Sequence, residues 1–308
     1  MSDAASLIFH TGALGDFVLS WPLALALRQL RPACPIVYIT HPSKGQLAAR
    51  FLQTQATSIE TGGWHSMHSD SPALHVAARD LVSRAQRIIV FGTAEEGGET
   101  MFLKNLQRFA PEATITPVVA LPPAGFTSHA TSFLHQQLGG EEQLAGAYEV
   151  ELQKLATQGL PVPHAPSTRI LIHPGAGSVK KCWPTEYFLE LASRLRGEAR
   201  PVEFILGEVE LERFPGQLVE ELSAAYPLHR PADYVQLAEE LLNCQLLITN
   251  DNGPGHLAAI LGIATLSLFG PTEAKVWRPI GPRAHTMHSS SLSSIAPSEV
   301  LEKVHQLI

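Results

Sequence analysis

Three glycine-bearing loops hold most of the side chains able to do chemistry. The first, His10-Thr-Gly-Ala-Leu-Gly-Asp16, sets a carboxylate just past two glycines. Gly12 and Gly15 permit a tight turn and a close backbone approach, and Thr11 and Ala13 complete a candidate acceptor or phosphate loop. Asp16 at a helix start has two readings. As an N-cap it would stabilise that helix by about 1 kcal/mol. As a general base it would speed a proton transfer by roughly 10²–10⁴-fold, and the helix dipole would keep it ionised while weakening its basicity.

The second loop is His173-Pro-Gly-Ala-Gly-Ser-Val-Lys-Lys-Cys-Trp-Pro184. Gly175, Ala176 and Gly177 would turn backbone N–H groups toward an anion, Ser178 adds a hydroxyl, and Lys180 or Lys181 adds a positive charge. The competing reading is a plain glycine turn with two solvated lysines. Pro184 suits a first helical turn, and Trp183 would pack at the domain surface or line a cleft. The third loop is Asn250-Asp-Asn-Gly-Pro-Gly-His256, where Asp251, Asn252, Gly253, Pro254 and His256 open a short apolar helix. Its N–H groups and His256 would hold a diphosphate, although a single histidine is more often structural. Gly270-Pro-Thr272, after the next strand, would share that work. No GxGxxG, Walker A, DxD, HExxH or GxSxG pattern occurs. A phosphate site here would have to neutralise charge with lysine and helix N-termini rather than with a carboxylate-held metal.

The elements that must carry these loops alternate. Leu7–His10, Ile36–Thr40 and Ile88–Phe91 read as buried strands, with helical patterns over Asp16–Leu30, Gln46–Leu52, Leu74–Ala85, His129–Leu138 and Glu141–Gln158. A stretch with three prolines, Gly159 to Pro166, reads as a linker about which two halves would close. The alternation restarts with strands Ile170–His173, Val202–Leu206, Leu246–Asn250 and Ala264–Phe269. The helices expected there are Thr185–Arg196, Leu211–Ala224, Asp233–Leu242 and His256–Leu261. Pro297–Leu307 closes the chain as a helix. The pattern predicts two Rossmann-like α/β halves with parallel sheets, each chemical loop at the carboxyl end of a strand, where such sheets bind ligands.

Composition agrees. The chain has 308 residues, 45% hydrophobic and 17% charged, enough for two cores. A net charge of −7 disfavours nucleic acid or anionic lipid as a partner. Cys34, Cys182 and Cys244 form no metal-binding spacing and fit a reducing compartment. No apolar run reaches the length of a membrane span.

Taken together, Gly12–Asp16 (GALGD), His173–Pro184 (HPGAGSVKKCWP), Asp251–Ala259 (DNGPGHLAA) and Leu268–Thr272 (LFGPT) resemble, in order and spacing, glycosyltransferase family 9, the ADP-heptose:lipopolysaccharide heptosyltransferases. The resemblance implies a GT-B fold: residues 1–160 as the acceptor-side domain, 167–290 as the nucleotide-sugar domain, and 291–308 as a helix packing back on the N-terminal domain. It implies an inverting, metal-independent transfer of heptose from ADP-heptose to a lipid-linked core oligosaccharide. No cofactor or nucleic acid is implied, and the setting is cytoplasmic, with at most peripheral membrane association. Asp16 matches the base, Lys181 the lysine near the donor phosphates, and Asp251, Gly253 and His256 the donor loop. The ribose carboxylate is Glu208 or Glu210. His10 stands where the family usually has Arg or Lys, Asn252 replaces Ser or Thr, and Gly255 replaces a bulkier apolar residue. A nucleotide-sugar epimerase and a non-catalytic nucleotide-sugar-binding protein are the alternatives on the same fold, and the missing GxGxxG argues against a nicotinamide oxidoreductase.

Overall fold

The computed structural model describes residues 4–92 and 100–308. Contacts group the chain into two units. One takes in residues up to Phe126 together with Ala130–Leu152; the other comprises Thr127–His129 and Gln153–Ile308.

The first unit is built on β1 (Ala5–Phe9), β2 (Ile36–Thr40), β3 (Gln55–Ser58), β4 (Ala85–Gly92) and β5 (Thr114–Val119). They form a parallel sheet in the order β3-β2-β1-β4-β5. Its helices are α1 (Leu14–Leu19), α2 (Trp21–Leu30), α3 (Pro42–Leu52), α4 (Val76–Ser83), α5 (Met101–Phe109), α6 (Ala130–Gln137) and the start of α7 (Glu142–Gln158). β1 and β2 are buried along their whole length, as strands covered on both faces must be. On one face Phe9 meets Trp64 and Phe102 edge-on, at 5.2 and 5.3 Å between ring centroids. The helix expected over Asp16–Leu30 is two helices. Pro22 has no N–H to donate back to Val18, and the Ser20 hydroxyl donates to the Phe17 carbonyl at the joint.

The second unit has β6 (Ile170–His173), β7 (Val202–Ile205), β8 (Leu228–His229), β9 (Leu246–Asn250), β10 (Ala264–Phe269) and β11 (Ala284–His288), parallel and in the order β11-β10-β9-β6-β7-β8. Its helices are α8 (Thr185–Gly197), α9 (Glu208–Arg213), α10 (Gly216–Ala225), α11 (Tyr234–Leu242), α12 (Gly253–Ile260), α13 (Ala274–Trp277) and α14 (Pro297–His305). The single helix expected over Leu211–Ala224 is again two, α9 and α10, parted at Phe214-Pro215. The Gly159–Pro166 stretch is irregular but tied to this unit: the Leu160 N–H donates to the Ile260 carbonyl at 2.7 Å. The division between units falls inside α7, between Leu152 and Gln153.

Two expectations need correcting. Trp183 is neither at the surface nor lining a cleft. It is fully buried, packs edge-on against Phe188 at 4.8 Å, and donates its indole N–H to the Ile295 carbonyl at 2.9 Å. That bond, with Val300 and Val304 buried among Trp183, Leu191 and Leu195, places α14 on α8 in the core of the second unit. The helix expected to pack back on the N-terminal domain is therefore part of the second unit's own core. Its apolar stripe finds a partner in α8, close in space to the segment that leads into it.

Candidate functional site

In each sheet the chain runs outward to one side and then restarts on the other. The restarts lie between β1 and β4 in the first unit and between β6 and β9 in the second. Such switch points leave a crevice beyond the carboxyl ends of the strands. The loops singled out in the sequence follow β1, β6 and β9.

In the second unit the β6 and β9 loops are laced together by asparagines. The Asn250 amide donates to the Pro174 carbonyl at 2.7 Å, and its oxygen accepts the Trp183 N–H at 2.8 Å. Asn252 is the N-cap of α12, its side-chain oxygen accepting the Gly255 N–H at 3.0 Å. Its amide nitrogen lies 2.7 Å from the Gly175 carbonyl, 2.7 Å from Thr249 Oγ1 and 3.0 Å from His173 Nδ1. A serine or threonine would cap the helix but could not also reach across to His173, so the Asn252 departure strengthens this joint. Gly255 has its own reason: a Cβ there would come within 3.1 Å of Ser267 and Thr249. Gly253 and Pro254 form the first turn of α12, where Pro lacks only an N–H that would be unpaired anyway.

Over this joint sits the charged group. Asp251 is buried, and its Oδ2 accepts from Lys181 Nζ at 2.8 Å and from Thr272 Oγ1 at 2.7 Å. Lys181, Asp251 and Thr272 thus come together from three strand ends. The Lys181 side chain remains a third exposed. Lys180 is exposed. Ser178 caps the single 3₁₀ turn Val179–Lys181 and so sets the direction of Lys181. His256 lies beneath in the first turns of α12, buried. Burial pushes its imidazole down to about 4 against the pull of Asp251, with His129 and Lys181 adding to the depression. His256 is therefore neutral at physiological pH rather than a cation. His129 was not anticipated: it belongs to the second unit, its Nε2 lies 2.8 Å from the Arg278 carbonyl, and nothing in its local sequence marks it.

The two ribose candidates separate. Glu210 is buried, accepts the Gly207 N–H at 3.0 Å, and lies 3.5 Å from His173 Nε2. Its carboxylate fills the space beside Gly175, where a Cβ would sit 1.9 Å from Glu210 Oε1. Glu210 is thus committed to holding the β6 loop, with Arg213 bracing the Ala176 and Gly177 carbonyls from the same helix. Glu208, at the start of α9, is exposed, and its charge reaches Tyr234. Gly177 opens onto free space, whereas Gly270 is pressed against Leu292 and serves packing.

Burial pushes the Glu210 carboxyl up, but the hydrogen bond and charge of His173 and the Gly207 N–H outweigh it and hold it below its ordinary value. A depressed carboxylate adds stability above its unfolded pKa and loses it as pH falls. The stability gap between the parent protein and Glu210→Gln should be full above about pH 5 and close progressively below about pH 4.5. Urea titrations from pH 3.5 to 7.5 measure it; a gap that stays constant with pH would show the carboxylate's charge to be irrelevant.

In the first unit Asp16 is not the N-cap. Ala13 holds that position without a side-chain bond, and Asp16 lies within the first turn of α1, half-buried. Gly12 is close to it, since a Cβ on Gly12 would sit 3.5 Å from Asp16 Oδ2 and 3.0 Å from the His10 ring. His10 is fully buried between Phe17 and Phe91, and neither ring nitrogen has a hydrogen-bond partner. Burial, with the nearby Lys44 ammonium, pushes it down to about 3. Lys44 went unnoticed in the sequence: it reaches from α3 and donates to the Thr11 carbonyl at 3.2 Å and the Gly12 carbonyl at 2.5 Å.

Two parallel Rossmann-like sheets with these loops define a GT-B protein. Comparison with solved structures agrees. A glycosyl transferase family 9 protein from Veillonella parvula aligns over 100% of this chain and 98% of its own, with a TM-score of 0.69 and 19% identity. ADP-heptose LPS heptosyltransferase II of E. coli gives 0.69 and 19% over 98% of both chains. An E. coli heptosyltransferase solved with ADP gives 0.66 and 14% over 99% of this chain and 100% of its own. At these identities the likeness shows the fold. The model of glycosyltransferase family 9 (heptosyltransferase) matches residues 126–304, more than half the chain. The chain belongs to glycosyltransferase family 9. Lipopolysaccharide heptosyltransferase 1 of Pseudomonas aeruginosa is 33% identical over 128 residues, 42% of this chain and 34% of that protein. Lipopolysaccharide heptosyltransferase 2 of Salmonella typhimurium is 26% identical over 159 residues, 44% and 45% of the two. The matched stretch thus spans from a third to under half the length of these curated relatives. Among the described residues no helix is long and apolar enough to cross a membrane.

Proposed function

We propose that the protein transfers heptose from ADP-heptose to a core oligosaccharide of lipopolysaccharide, by a single inverting displacement that needs no metal ion. The observation that carries this reading is the group at the β6–β9 switch point. One buried carboxylate, Asp251, holds a partly exposed lysine and the Thr272 hydroxyl beside the N-terminus of α12. That arrangement fits a diphosphate. The Lys181 ammonium offers a positive charge, while the N–H groups of the glycine loop and α12 add donors that need no reorganisation as charge develops. Glu208 suits the ribose, because Glu210 is engaged elsewhere.

In this reading Asp16 accepts the proton of the acceptor hydroxyl as its oxygen attacks the anomeric carbon. The bond from that carbon to the diphosphate oxygen breaks on the opposite face, so configuration inverts and ADP leaves with the bonding pair. Lys181 neutralises the charge that grows on the departing phosphate. The names of the relatives support heptose and lipopolysaccharide, and the E. coli structure with ADP supports the nucleotide. Work at the cytoplasmic face of a membrane, with peripheral association, follows from such an acceptor.

The test is a panel of ADP-, UDP- and GDP-sugars scored by thermal shift. At a hundred times its Kd a ligand that binds only the folded state adds about 2.7 kcal/mol, so ADP-heptose should raise the melting temperature most. Equal shifts from every nucleotide would remove the donor assignment. Donor conversion with no acceptor present would favour an epimerase, and loss of turnover in EDTA would remove metal independence.

A further inference from the structure

Lys44 occupies a position with two costs. It lies in the first turn of α3, where the positive end of the helix dipole disfavours a cation, and it is 5% exposed. Something must offset both. Its ammonium donates to the carbonyls of Thr11 and Gly12, and the carboxylate of Asp16 lies within its field. The same β2–α3 connection holds the loop a second time, since the Thr40 hydroxyl donates to the His10 carbonyl at 2.6 Å. Beneath the loop, His10 is neutral and its ring nitrogens have no partner. Lys44 on α3 is thus a cation that faces this loop, and His10, just past the end of β1, is a titratable group below it.

We infer that Lys44 is the positioning residue of the Asp16 loop: it clamps the Thr11–Gly12 backbone and supplies the positive charge that keeps the Asp16 carboxylate ionised and fixed in direction. This rests on the reading of Asp16 as the base. The clamp orients the loop by holding two consecutive carbonyls against α3, and Asp16 Oδ2 lies 3.5 Å from where a Cβ on Gly12 would sit. A neutral residue in place of Lys44 would release the carbonyls and remove the charge together. An arginine would retain the charge and much of the bonding.

The experiment uses the full chain and its Lys44→Met and Lys44→Arg variants, with ¹³C-labelled aspartate carboxyls followed by NMR against pH. The Asp16 resonance is identified by its loss in Asp16→Asn. An opposite charge within a few ångströms lowers a carboxylate pKa by about 1 unit or more. The Asp16 midpoint should therefore rise in Lys44→Met and return in Lys44→Arg. With ADP-heptose and a core oligosaccharide, Lys44→Met should lower kcat about tenfold or more, leave the donor KM within about threefold, and move the acid limb of kcat to higher pH. An unmoved midpoint in Lys44→Met overturns the proposal, as does a Lys44→Arg no better than Lys44→Met. Where circular dichroism finds Lys44→Met unfolded, Lys44→Arg alone decides, and must show the parent midpoint. Undiminished turnover in Asp16→Asn, with the midpoint still shifting in Lys44→Met, would remove the base and leave the coupling, so the two failures are told apart.

Discussion

Asp16→Asn is expected to lower turnover about 10²–10⁴-fold while leaving donor affinity unchanged. The substitution is nearly isosteric. α1 is anchored by Leu14, Phe17, Val18 and Leu19, all buried, so an amide at position 16 keeps the helix and its direction. Gly12 leaves room for either side chain. What the amide cannot do is accept a proton from a hydroxyl as that oxygen attacks. In the proposed reading, donor affinity rests on Lys181, Asp251 and the start of α12 in the second unit rather than on Asp16. Isothermal titration with ADP and single-turnover kinetics with ADP-heptose separate the two quantities. Turnover within a few-fold of the parent would deprive Asp16 of its role.

Gly175→Ala should be the most damaging small substitution in the loop after β6. Its Cβ would lie 1.9 Å from Glu210 Oε1, 2.2 Å from Cδ and 2.3 Å from Cγ. A flexible surface side chain would step aside, but Glu210 is buried and held by the Gly207 N–H and His173. Its displacement unpairs a buried carboxylate. Breaking such pairs costs about 3–5 kcal/mol, and some relaxation of the loop would reduce that. In a unit of this size, each 1 kcal/mol corresponds to roughly 2–4 °C of melting temperature. A fall of about 10 °C, with loss of ADP binding, is therefore expected. Gly177→Ala is the control, because nothing lies within 4 Å of its Cβ position. Scanning calorimetry and ADP titration on both variants measure the contrast; equal behaviour would mean that Glu210 moves freely and does not hold the loop.

The local code of the chain was enough for the sheet interiors. β1, β2, β4, β6, β7, β9 and β10 all showed in the sequence, because strands covered on both faces must be almost continuously apolar. The strands that escaped notice are β3, β5, β8 and β11, which are the edges of the two sheets. Edge strands are only partly covered, so their residues need not be apolar: Gln55-Ala-Thr-Ser58 and Ala284-His-Thr-Met-His288 carry little period-two signal. β5 even tolerates Pro117, as an edge can.

The site divides along the same line. Glycines, caps and the order of the motifs act over a few residues, and they marked out the loops, Asp16, Lys181 and Asp251. Which of those side chains are partners is a matter of contacts far apart in the chain. Lys181 and Asp251 are 70 residues apart, and Lys44 and Gly12 are 32 apart. Glu208 and Glu210 are equally acidic on paper and differ only in which one the start of α9 turns inward against Gly175. Amino-acid type determined what each loop is able to do; the packing of sheet and helix decided which charges face each other, because only folding brings distant segments close enough for burial and Coulomb forces to act.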